Sequence, residues 1–510
     1  MTISPPLAVL RADASPETGA GHIMRCLALS AALGRRGVRC VLATRATTAR
    51  TVAAEWMDGV EWIELSGPED SEAETIRAIR PDGADILIVD HYERGRVFET
   101  ALRPWAKCLF VVDDAATRDH RCDLLVNSAP GFTRKDYDAR LPGDALTLLG
   151  PAYAPLRPIF EQLRPAALAR RNERRPVERI VVAFGTTDPV GMTGRVLDSL
   201  ARLAPKVAVD VVFAATSPHA AAVRRRAARS DRVRVHDGGG EIAPLLAAAD
   251  LAIGAAGVGA WERCALGLAS LVIPIVDNQA GVAVALDEAG AARVVPFEGL
   301  TDAVLDGALN AQLEDAAGRA AQARAAALFV DGRGCRRIAQ ALHPALSRDG
   351  TPIRLRPAMP DDAARLLDWQ HEPGARRYAR DPNLPGPAGH ARWFAARLAD
   401  PACLLNVVLC AEQPAGMVRL DALADESGRS FEVSILTARA WQGRGVARAA
   451  LGLACDLAGD GVLHAYVHSD NTASGRVFKA AGFVSRGDWL VRNPTTPAGI
   501  TRSLPTAARA

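Results

Sequence analysis

Short apolar runs alternate with amphipathic stretches through the first two-thirds of the chain. Leu7 to Leu10, Val38 to Ala43, Ile86 to Val89, Leu109 to Val112 and Leu124 to Val126 are continuous rather than alternating. Continuous apolar strands belong to parallel sheets covered by helices on both faces. Between the first two runs, Met24, Leu27, Ala28 and Ala31 recur at helical spacing, which predicts a helix with that face buried. A Pro- and Arg-rich stretch from Pro155 to Pro176 interrupts the pattern, and Arg170, Arg171, Arg174 and Arg175 read as a solvated linker. The same grammar then restarts with Ile180 to Phe184, Val207 to Phe213, Val233 to Val235, Leu251 to Ile253 and Leu271 to Ile273. It ends in an Ala-rich helical segment from Thr301 to about Leu342. The prediction is two successive doubly wound α/β domains of Rossmann type, over 1–155 and 156–345. Ligands of such sheets bind beyond the carboxyl ends of the strands, here in the cleft between the two domains.

The pattern changes after His343 to Pro352, which has linker composition. Ile353 to Arg356 predicts a strand, Asp361 to Gln370 a helix, and Leu404 to Ala411 with Ala415 to Leu420 a hairpin. Phe431 to Leu436 predicts a further strand, followed by a Gly-rich turn and a helix. Residues 353–490 thus form an α+β domain. The Pro/Thr/Ala-rich tail at 491–510 is expected to be weakly ordered.

Composition changes this picture little. A chain of 510 residues is too long for one core, and 49% hydrophobic with 23% charged residues is an ordinary packable mixture. A net charge of +3 implies no large basic face, so nucleic acid is not an expected partner. The nine cysteines are scattered without C-x-x-C or metal-like spacing, as in a reduced cytoplasm. No apolar run reaches the roughly 18 residues of a membrane span. A cytoplasmic protein without a membrane span or an obligatory metal is expected.

Candidate chemistry begins after the first strand. Arg11-Ala-Asp13-Ala-Ser15 leads to Gly19-Ala-Gly21-His22-Ile-Met-Arg25, which opens the first helix. Glycines let the backbone approach a ligand and expose helix N–H groups. A histidine in the first helical turn meets the positive end of the dipole, which favours the neutral imidazole that a general base requires. A histidine that only caps or packs would carry the same G-x-G-H signature.

The surrounding residues separate these readings. RADAS and G-x-GH-x-x-RCLALS at 11–30, Asp90-His91-Tyr92, VDDAATRDHRCDLLVN at 112–127 and LLGPAYAPLRPIF at 148–160 occur in order. FGTTDP at 184–189, GAAGVGAWERCALGLASL at 254–271 and Asp277-Asn278-Gln279 follow. Residues 1–340 resemble the family of UDP-2,4-diacetamido-2,4,6-trideoxy-β-L-altropyranose hydrolases of the pseudaminic acid pathway. That family is itself similar to lipid-linked cell-wall glycosyltransferases of GT-B fold. The resemblance implies that His22 activates water at the anomeric carbon and that UDP leaves by C–O cleavage with inversion. Tyr92 and Asn278 would line the sugar site, with Arg11, Gly21 and Gln279 close by, and Asp13 is a candidate orienting partner of His22. Gly185, Thr186 and Thr187 would offer N–H and hydroxyl groups to the diphosphate, and so would the Gly257 helix start. Glu262 would accept from the ribose hydroxyls. The family commonly has Gly-Gly before Thr-Asp-Pro, whereas this chain has Gly185-Thr186. The rival reading is a GT-B glycosyltransferase acting on a UDP-amino sugar.

In the α+β domain, Trp441 precedes Gln442-Gly443-Arg444-Gly445-Val446-Ala447. Val446, Ala450, Leu453 and Leu457 then mark one buried helical face. A strand, a Q-x-x-G-x-A loop and a helix can cradle a pyrophosphate on backbone N–H groups. Downstream come Asn471, Ser474, Phe478 and Gly482-Phe483. Together, residues 353–486 resemble the GNAT acetyltransferase superfamily, which implies acetyl-CoA as cosubstrate. Asn471 would contact the pantetheine arm. Phe478 stands where many members carry a tyrosine acid. Glu432 and His468 are candidate bases for the acceptor ammonium, and ordinary strand-edge polarity is the alternative for both. In the resembled pathway a GNAT enzyme acetylates the 4-amino UDP-sugar before the hydrolase removes UDP, so the two halves imply a bifunctional chain.

Overall fold

The computed structural model describes residues 5–15, 19–52, 54–171, 175–185, 188–214, 217–237, 242–424 and 429–494. Thr186, Thr187 and Arg174 lie outside the described residues, as does the tail from 495 onward. The chain divides into two compact units, Met1–Pro344 with Ala399–Pro401, and Ala345–Leu398 with Ala402–Ala510.

The first unit opens with β1 (Leu7–Ala12), α1 (Gly21–Gly34), β2 (Arg39–Arg45), β3 (Glu61–Leu65), α2 (Glu72–Ile79), β4 (Ala84–Asp90), α3 (Arg96–Leu102), β5 (Ala106–Val112), β6 (Leu124–Asn127) and β7 (Leu146–Leu149). These seven strands form one sheet in the order β3-β2-β1-β4-β5-β6-β7, with parallel neighbours. The order reverses direction between β1 and β4, so their carboxyl ends flank the crevice where such sheets take ligands. Ala12 and Asp90 are register partners at that point. The buried face of α1 differs from the expected one. Ala28 is buried as expected, but His22, Arg25, Cys26, Leu29 and Leu33 also point inward, while Met24 and Leu27 are half-buried and Ala31 is exposed. Apolar residues surround this helix on several sides, so spacing alone did not select the face, and packing did.

The second half of the unit contains α4 (Pro158–Arg171), β8 (Arg179–Ala183), α5 (Met192–Leu203), β9 (Ala208–Phe213), β10 (Val233–Asp237), α6 (Ile242–Ala248), β11 (Leu251–Gly254), α7 (Val258–Ala265), β12 (Ser270–Val272) and β13 (Arg293–Val294). Its sheet runs β10-β9-β8-β11-β12-β13, again with parallel neighbours and with the switch between β8 and β11. The expected linker is a helix instead. Within α4, Arg170 pairs with Asp250 at 2.6 Å. Arg171 donates to the carbonyls of Leu246 (2.8 Å), Ala247 and Ala249 (both 3.2 Å), closing the carboxyl end of α6. The Ala-rich segment forms three helices, Asp302–Glu314, α8 (Ala316–Phe329) and α9 (Gly334–Leu342). Cys335, Ile338, Ala339 and Leu342 of α9 share a core with Ile23 and Cys26 of α1. The chain therefore returns to its first sheet before the first unit ends at Pro344. Gly334 permits this return, because a Cβ there would collide with the Ala154 carbonyl. Two doubly wound sheets with a returning terminal helix are the GT-B arrangement expected from the sequence.

The second unit starts earlier than expected. Ala345–Leu346, within the expected linker, is β14 and pairs antiparallel with β15 (Pro352–Pro357). There follow α10 (Asp362–His371), α11 (Pro387–Leu398), β16 (Cys403–Cys410), β17 (Gln413–Ala422), β18 (Ser430–Thr437), α12 (Val446–Ala458), β19 (Val462–Tyr466), α13 (Thr472–Ala480), β20 (Val484–Arg486) and β21 (Trp489–Arg492). The sheet order is β14-β15-β16-β17-β18-β19-β21-β20, and only β18 and β19 run parallel. Val491 and Arg492, placed in the tail by sequence, belong to the sheet. Val446, Ala450, Leu453 and Leu457 are buried on α12 as their spacing predicted.

Candidate functional site

At the first switch point, α1 starts next to the carboxyl end of β4. His22 Nδ1 lies 2.6 Å from Asp90 Oδ1. Asp90 also accepts from Arg25, with Nε at 3.0 Å and Nη2 at 2.7 Å. Arg25 Nη1 reaches Asp114 at 2.8 Å. His22, Arg25 and Asp90 are all buried. Burial alone would raise the Asp90 carboxyl, yet Arg25 and the hydrogen bonds from His22 and Arg25 hold it below the ordinary range. An ionised carboxylate on Nδ1 fixes the imidazole and leaves Nε2 as the nitrogen that exchanges a proton. The Tyr92 ring packs edge-on against His22 with centroids 4.6 Å apart, and its hydroxyl is 3.3 Å from Asp114. Tyr92 is pushed up to about 12 by burial and by Asp114, so it stays a neutral hydroxyl.

Two expected site residues sit elsewhere. Asp13 does not meet His22. Its carboxylate accepts from Arg11 (2.6 Å), Arg45 N (2.8 Å), Thr44 (3.1 Å) and His91 (3.3 Å). Arg11 is fully buried and ion-paired with Glu72 and Asp13, so its side chain supports the β1 end rather than facing a ligand. The partner of His22 is Asp90, which lies 68 residues away and whose role no local spacing announces.

Loop 91–92 is held from below. Arg118 donates to the carbonyls of His91 (2.8 Å) and Tyr92 (2.6 Å) and pairs with Asp113 at 3.0 Å. Buried His120 bonds Glu99 at 2.7 Å and lies 3.7 Å from Asp113. Burial would lower its pKa, but Asp113 and Glu99 raise it to about 9. A raised folded pKa means that this stabilisation is fully present below the unfolded value of about 6.5 and is lost as pH rises through about 9. Unfolding midpoints measured from pH 6 to 10 are expected to fall across that window. His120→Gln is expected to flatten the fall; an equally steep fall in the variant would refute the assignment.

The second switch point holds the glycine-rich segments. Gly185 follows β8 with φ of +84°. Asp188 of the same motif accepts from the backbone N–H groups of Met192 (3.0 Å) and Thr193 (2.9 Å), capping α5. At the end of β11, a Cβ on Gly254 would collide with the Ala183 carbonyl, so the two strands approach more closely than another residue allows. Gly257 is the N-cap of α7 and leaves its first N–H groups without intrahelical partners. Gln279 lies beside it and accepts from Ile275 N at 3.0 Å, whereas Asn278 is exposed. A Cβ on Gly21 would be 3.9 Å from Val258, so the starts of α1 and α7 face each other. Glu262 is mostly buried, 3.8 Å from Arg157. Burial raises its carboxyl above the ordinary range, with Arg157 and Arg263 pulling the other way.

In the second unit, β18 and β19 pair only at Ser430–Glu432 with Val462–His464. Beyond Glu432 the strands part, which leaves backbone groups along their facing edges for an extended ligand. The 442–447 loop lies at the start of α12. Gly443 and Gly445 have φ of +76° and +84°. A Cβ on Gly445 would stand 3.1 Å from Arg348 N, which donates to the Arg444 carbonyl at 2.8 Å. Val446 points into the core, so only its N–H is available. Ala447 is half-buried in the first turn, where its N–H is likewise free of an intrahelical partner. Arg444 pairs with Asp349 at 2.7 Å and stacks over Trp441. Gln442 donates to the Thr437 carbonyl at 3.1 Å. Asn471 Oδ1 accepts from Ser474 N at 3.0 Å as the N-cap of α13. Phe478 is buried against Phe483, with centroids 5.0 Å apart, in the hydrophobic core. It carries no proton to donate. Glu432 pairs with Arg380 at 2.9 Å, and the His468 ring lies 5.6 Å from Tyr378. Gly445→Val is expected to weaken acetyl-CoA binding at least about tenfold, since it loses the left-handed backbone and crowds Arg348. Calorimetric titration checks this, and wild-type affinity would count against the loop as a pyrophosphate cradle.

Residues 353–484 match the acetyltransferase (GNAT) domain family. The second unit carries a GNAT domain. About half of the chain is also similar to curated proteins outside that family. Uncharacterized protein MJ1062 of Methanocaldococcus jannaschii is 25% identical over 268 residues, covering 51% of this chain and 54% of its own. This chain thus spans about half the length of that relative. The spore coat polysaccharide biosynthesis protein SpsG of Bacillus subtilis is 27% identical over 287 residues, covering 55% of this chain and 81% of its own. The UDP-2,4-diacetamido-2,4,6-trideoxy-beta-L-altropyranose hydrolase of Campylobacter jejuni is 22% identical over 239 residues, covering 47% and 80%. Among solved structures, MurG of Acinetobacter baumannii aligns at 15% identity with a TM-score of 0.48, over 66% of this chain and 99% of its own. A GT-B-like pair of parallel-sheet domains and a GNAT domain share one polypeptide. Among the described residues, no helix is long and apolar enough to cross a membrane, and no three His, Cys, Asp or Glu side chains are grouped to hold a metal ion.

Proposed function

We propose that the first unit hydrolyses UDP-2,4-diacetamido-2,4,6-trideoxy-β-L-altropyranose to UDP and the free diacetamido sugar. Before that step, the GNAT domain acetylates the 4-amino group of the UDP-sugar precursor. The observation that carries the hydrolase reading is the His22–Asp90 contact of 2.6 Å at the start of α1, opposite the start of α7. His22 Nε2 takes a proton from water as the oxygen attacks the anomeric carbon. The bond from that carbon to the diphosphate oxygen breaks, and the electron pair leaves with UDP. Asp90 stays ionised and stabilises the imidazolium that forms. Gly185, Gly257 and the free N–H groups of α7 take the diphosphate charge, Glu262 the ribose, and Tyr92 and Asn278 the sugar. The family resemblance further assigns Thr186, Thr187 and Gln279 to the nucleotide side.

In the second reaction acetyl-CoA supplies an acetyl thioester. The 4-amine attacks the thioester carbon, the C–N bond forms and the C–S bond breaks. Glu432 or His468 takes the ammonium proton. Phe478 cannot protonate the departing thiolate, so solvent supplies the proton while backbone N–H groups stabilise the thiolate by hydrogen bonding. The alternative is a GT-B glycosyltransferase acting on a UDP-amino sugar in the first unit, with a GNAT domain of unrelated substrate. Purified protein incubated with the 4-amino UDP-sugar and acetyl-CoA is expected to yield free CoA, UDP and the diacetamido sugar by mass spectrometry. UDP that appears only after a lipid or peptide acceptor is added would replace hydrolysis with transfer. Unconsumed acetyl-CoA would remove the proposed acceptor.

A further inference from the structure

The sequence Gly254-Ala-Ala-Gly257-Val-Gly259-Ala-Trp-Glu-Arg263 places an arginine in the second turn of α7. Helical side chains lean toward the amino end of their helix, so Arg263 reaches back beneath the glycine loop. It is 4% exposed. Nη2 donates to the Ala255 carbonyl at 2.6 Å. Nη1 lies 3.0 Å and 3.4 Å from where a Cβ on Gly254 and on Gly259 would stand. Its Nε is buried without a hydrogen-bond partner. Among the described residues, no carboxylate stands within ion-pair distance of it; the neighbouring Glu262 turns Oε1 toward Arg157 at 3.8 Å, and its Oε2 would be 4.0 Å from a Cβ on Gly259.

A buried cation without a counter-ion is costly, and one hydrogen bond to a neutral carbonyl does not offset that cost. Burial lowers the Arg263 pKa, which is the same cost seen from the proton's side. The loop above it offers the free N–H groups of a helix start, whose partial positive charge adds to that of the guanidinium. Charge and donors converge on one spot, an arrangement suited to an anion.

We propose that Arg263 is the buried positive charge of a diphosphate site built by the Gly254–Gly259 loop, and that it sets the preference of that site for a nucleoside diphosphate over a nucleoside. This rests on the reading of a UDP-linked substrate given above. Arg263 acts through the loop, as a positioning residue, because its guanidinium lies beneath the backbone that would touch the phosphates.

The test is titration of the full chain and its Arg263→Met variant with UDP, uridine and inorganic pyrophosphate. Loss of the charge is expected to weaken UDP and pyrophosphate roughly 10- to 100-fold and to leave uridine unchanged. The salt dependence of UDP binding is expected to flatten in the variant. A purely structural arginine would instead weaken UDP and uridine together, and that result, or unchanged UDP affinity, overturns the inference. Should the Met variant fail to fold, Arg263→Lys keeps the charge and is expected to hold the UDP-to-uridine ratio within a few-fold of wild type. A collapsed ratio in the Lys variant counts against the proposal. If wild type binds pyrophosphate but neither UDP nor uridine, the uridine-nucleotide reading fails, while the Met variant still decides the role of Arg263 by its effect on pyrophosphate.

Discussion

Asp90→Asn is expected to lower kcat for UDP release by about 10²- to 10⁴-fold, with little change in the substrate concentration needed for half-saturation. The carboxylate lies 2.6 Å from His22 Nδ1, placed to accept a hydrogen bond from it and leave Nε2 for the chemistry, with Arg25 Nη2 2.9 Å from the same nitrogen. An amide in its place can present N–H to Nδ1 and select the wrong tautomer, the effect known for buried aspartates behind catalytic histidines. Arg25 would keep Asp114 as an ion-pair partner, so the variant retains a counter-ion for the buried guanidinium. His22→Ala should cost a similar factor, and the double variant no more than the worse single one, because residues acting as a unit are not additive. Acetyl-CoA turnover by the GNAT domain serves as the internal control and is expected to be unaffected. Near-wild-type UDP release by Asp90→Asn would exclude His22 as the base.

The largest stability effect is expected at Arg164. This buried side chain of α4 donates to the carbonyls of Ala265, Ala327 (2.6 Å) and Val330 (3.0 Å), where α7 and α8 end. Burial pushes its pKa down to about 10, still far above neutral, so the cation persists. Arg164→Ala removes the donors of three buried helix-end carbonyls and opens a cavity. A loss of about 3–5 kcal/mol follows from both terms. In a domain of this size it corresponds to a drop on the order of 10 °C in the first unit's transition. Calorimetry of the full chain should show that transition move while the GNAT transition stays. An unshifted first transition would mean that water replaces the arginine at no cost.

Both predictions depend on residues that local patterns undervalued. In the sequence Asp90 stands only as the first residue of Asp-His-Tyr after a strand, while Asp13 is the candidate partner of His22. The sheet order decides otherwise. β1 and β4 are neighbours, so the end of β4 and the start of α1 meet, while Asp13 turns toward Arg45 and His91. Arg164 and Arg171 lay in a stretch read as linker because Pro and Arg are abundant there. Their guanidinium groups are instead spent on helix-end carbonyls supplied by distant segments. Asn471 caps its helix through Oδ1 and Phe478 packs in the core, contacts that their spacing does not announce.

What the amino-acid sequence determined by itself is the set of features that local chemistry controls. Continuous apolar runs predicted two parallel sheets, the change of pattern near 353 predicted an α+β domain, and glycines marked the helix starts at Gly21, Gly257 and Gly445. These follow from side-chain periodicity and backbone freedom, which act over a few residues. Only the tertiary structure decided which carboxylate orients His22, which face of α1 is buried, where α9 docks and which arginine lies beneath the second glycine loop. Such choices compare contacts between residues tens to hundreds of positions apart, and burial and charge pairing in the folded chain settle them.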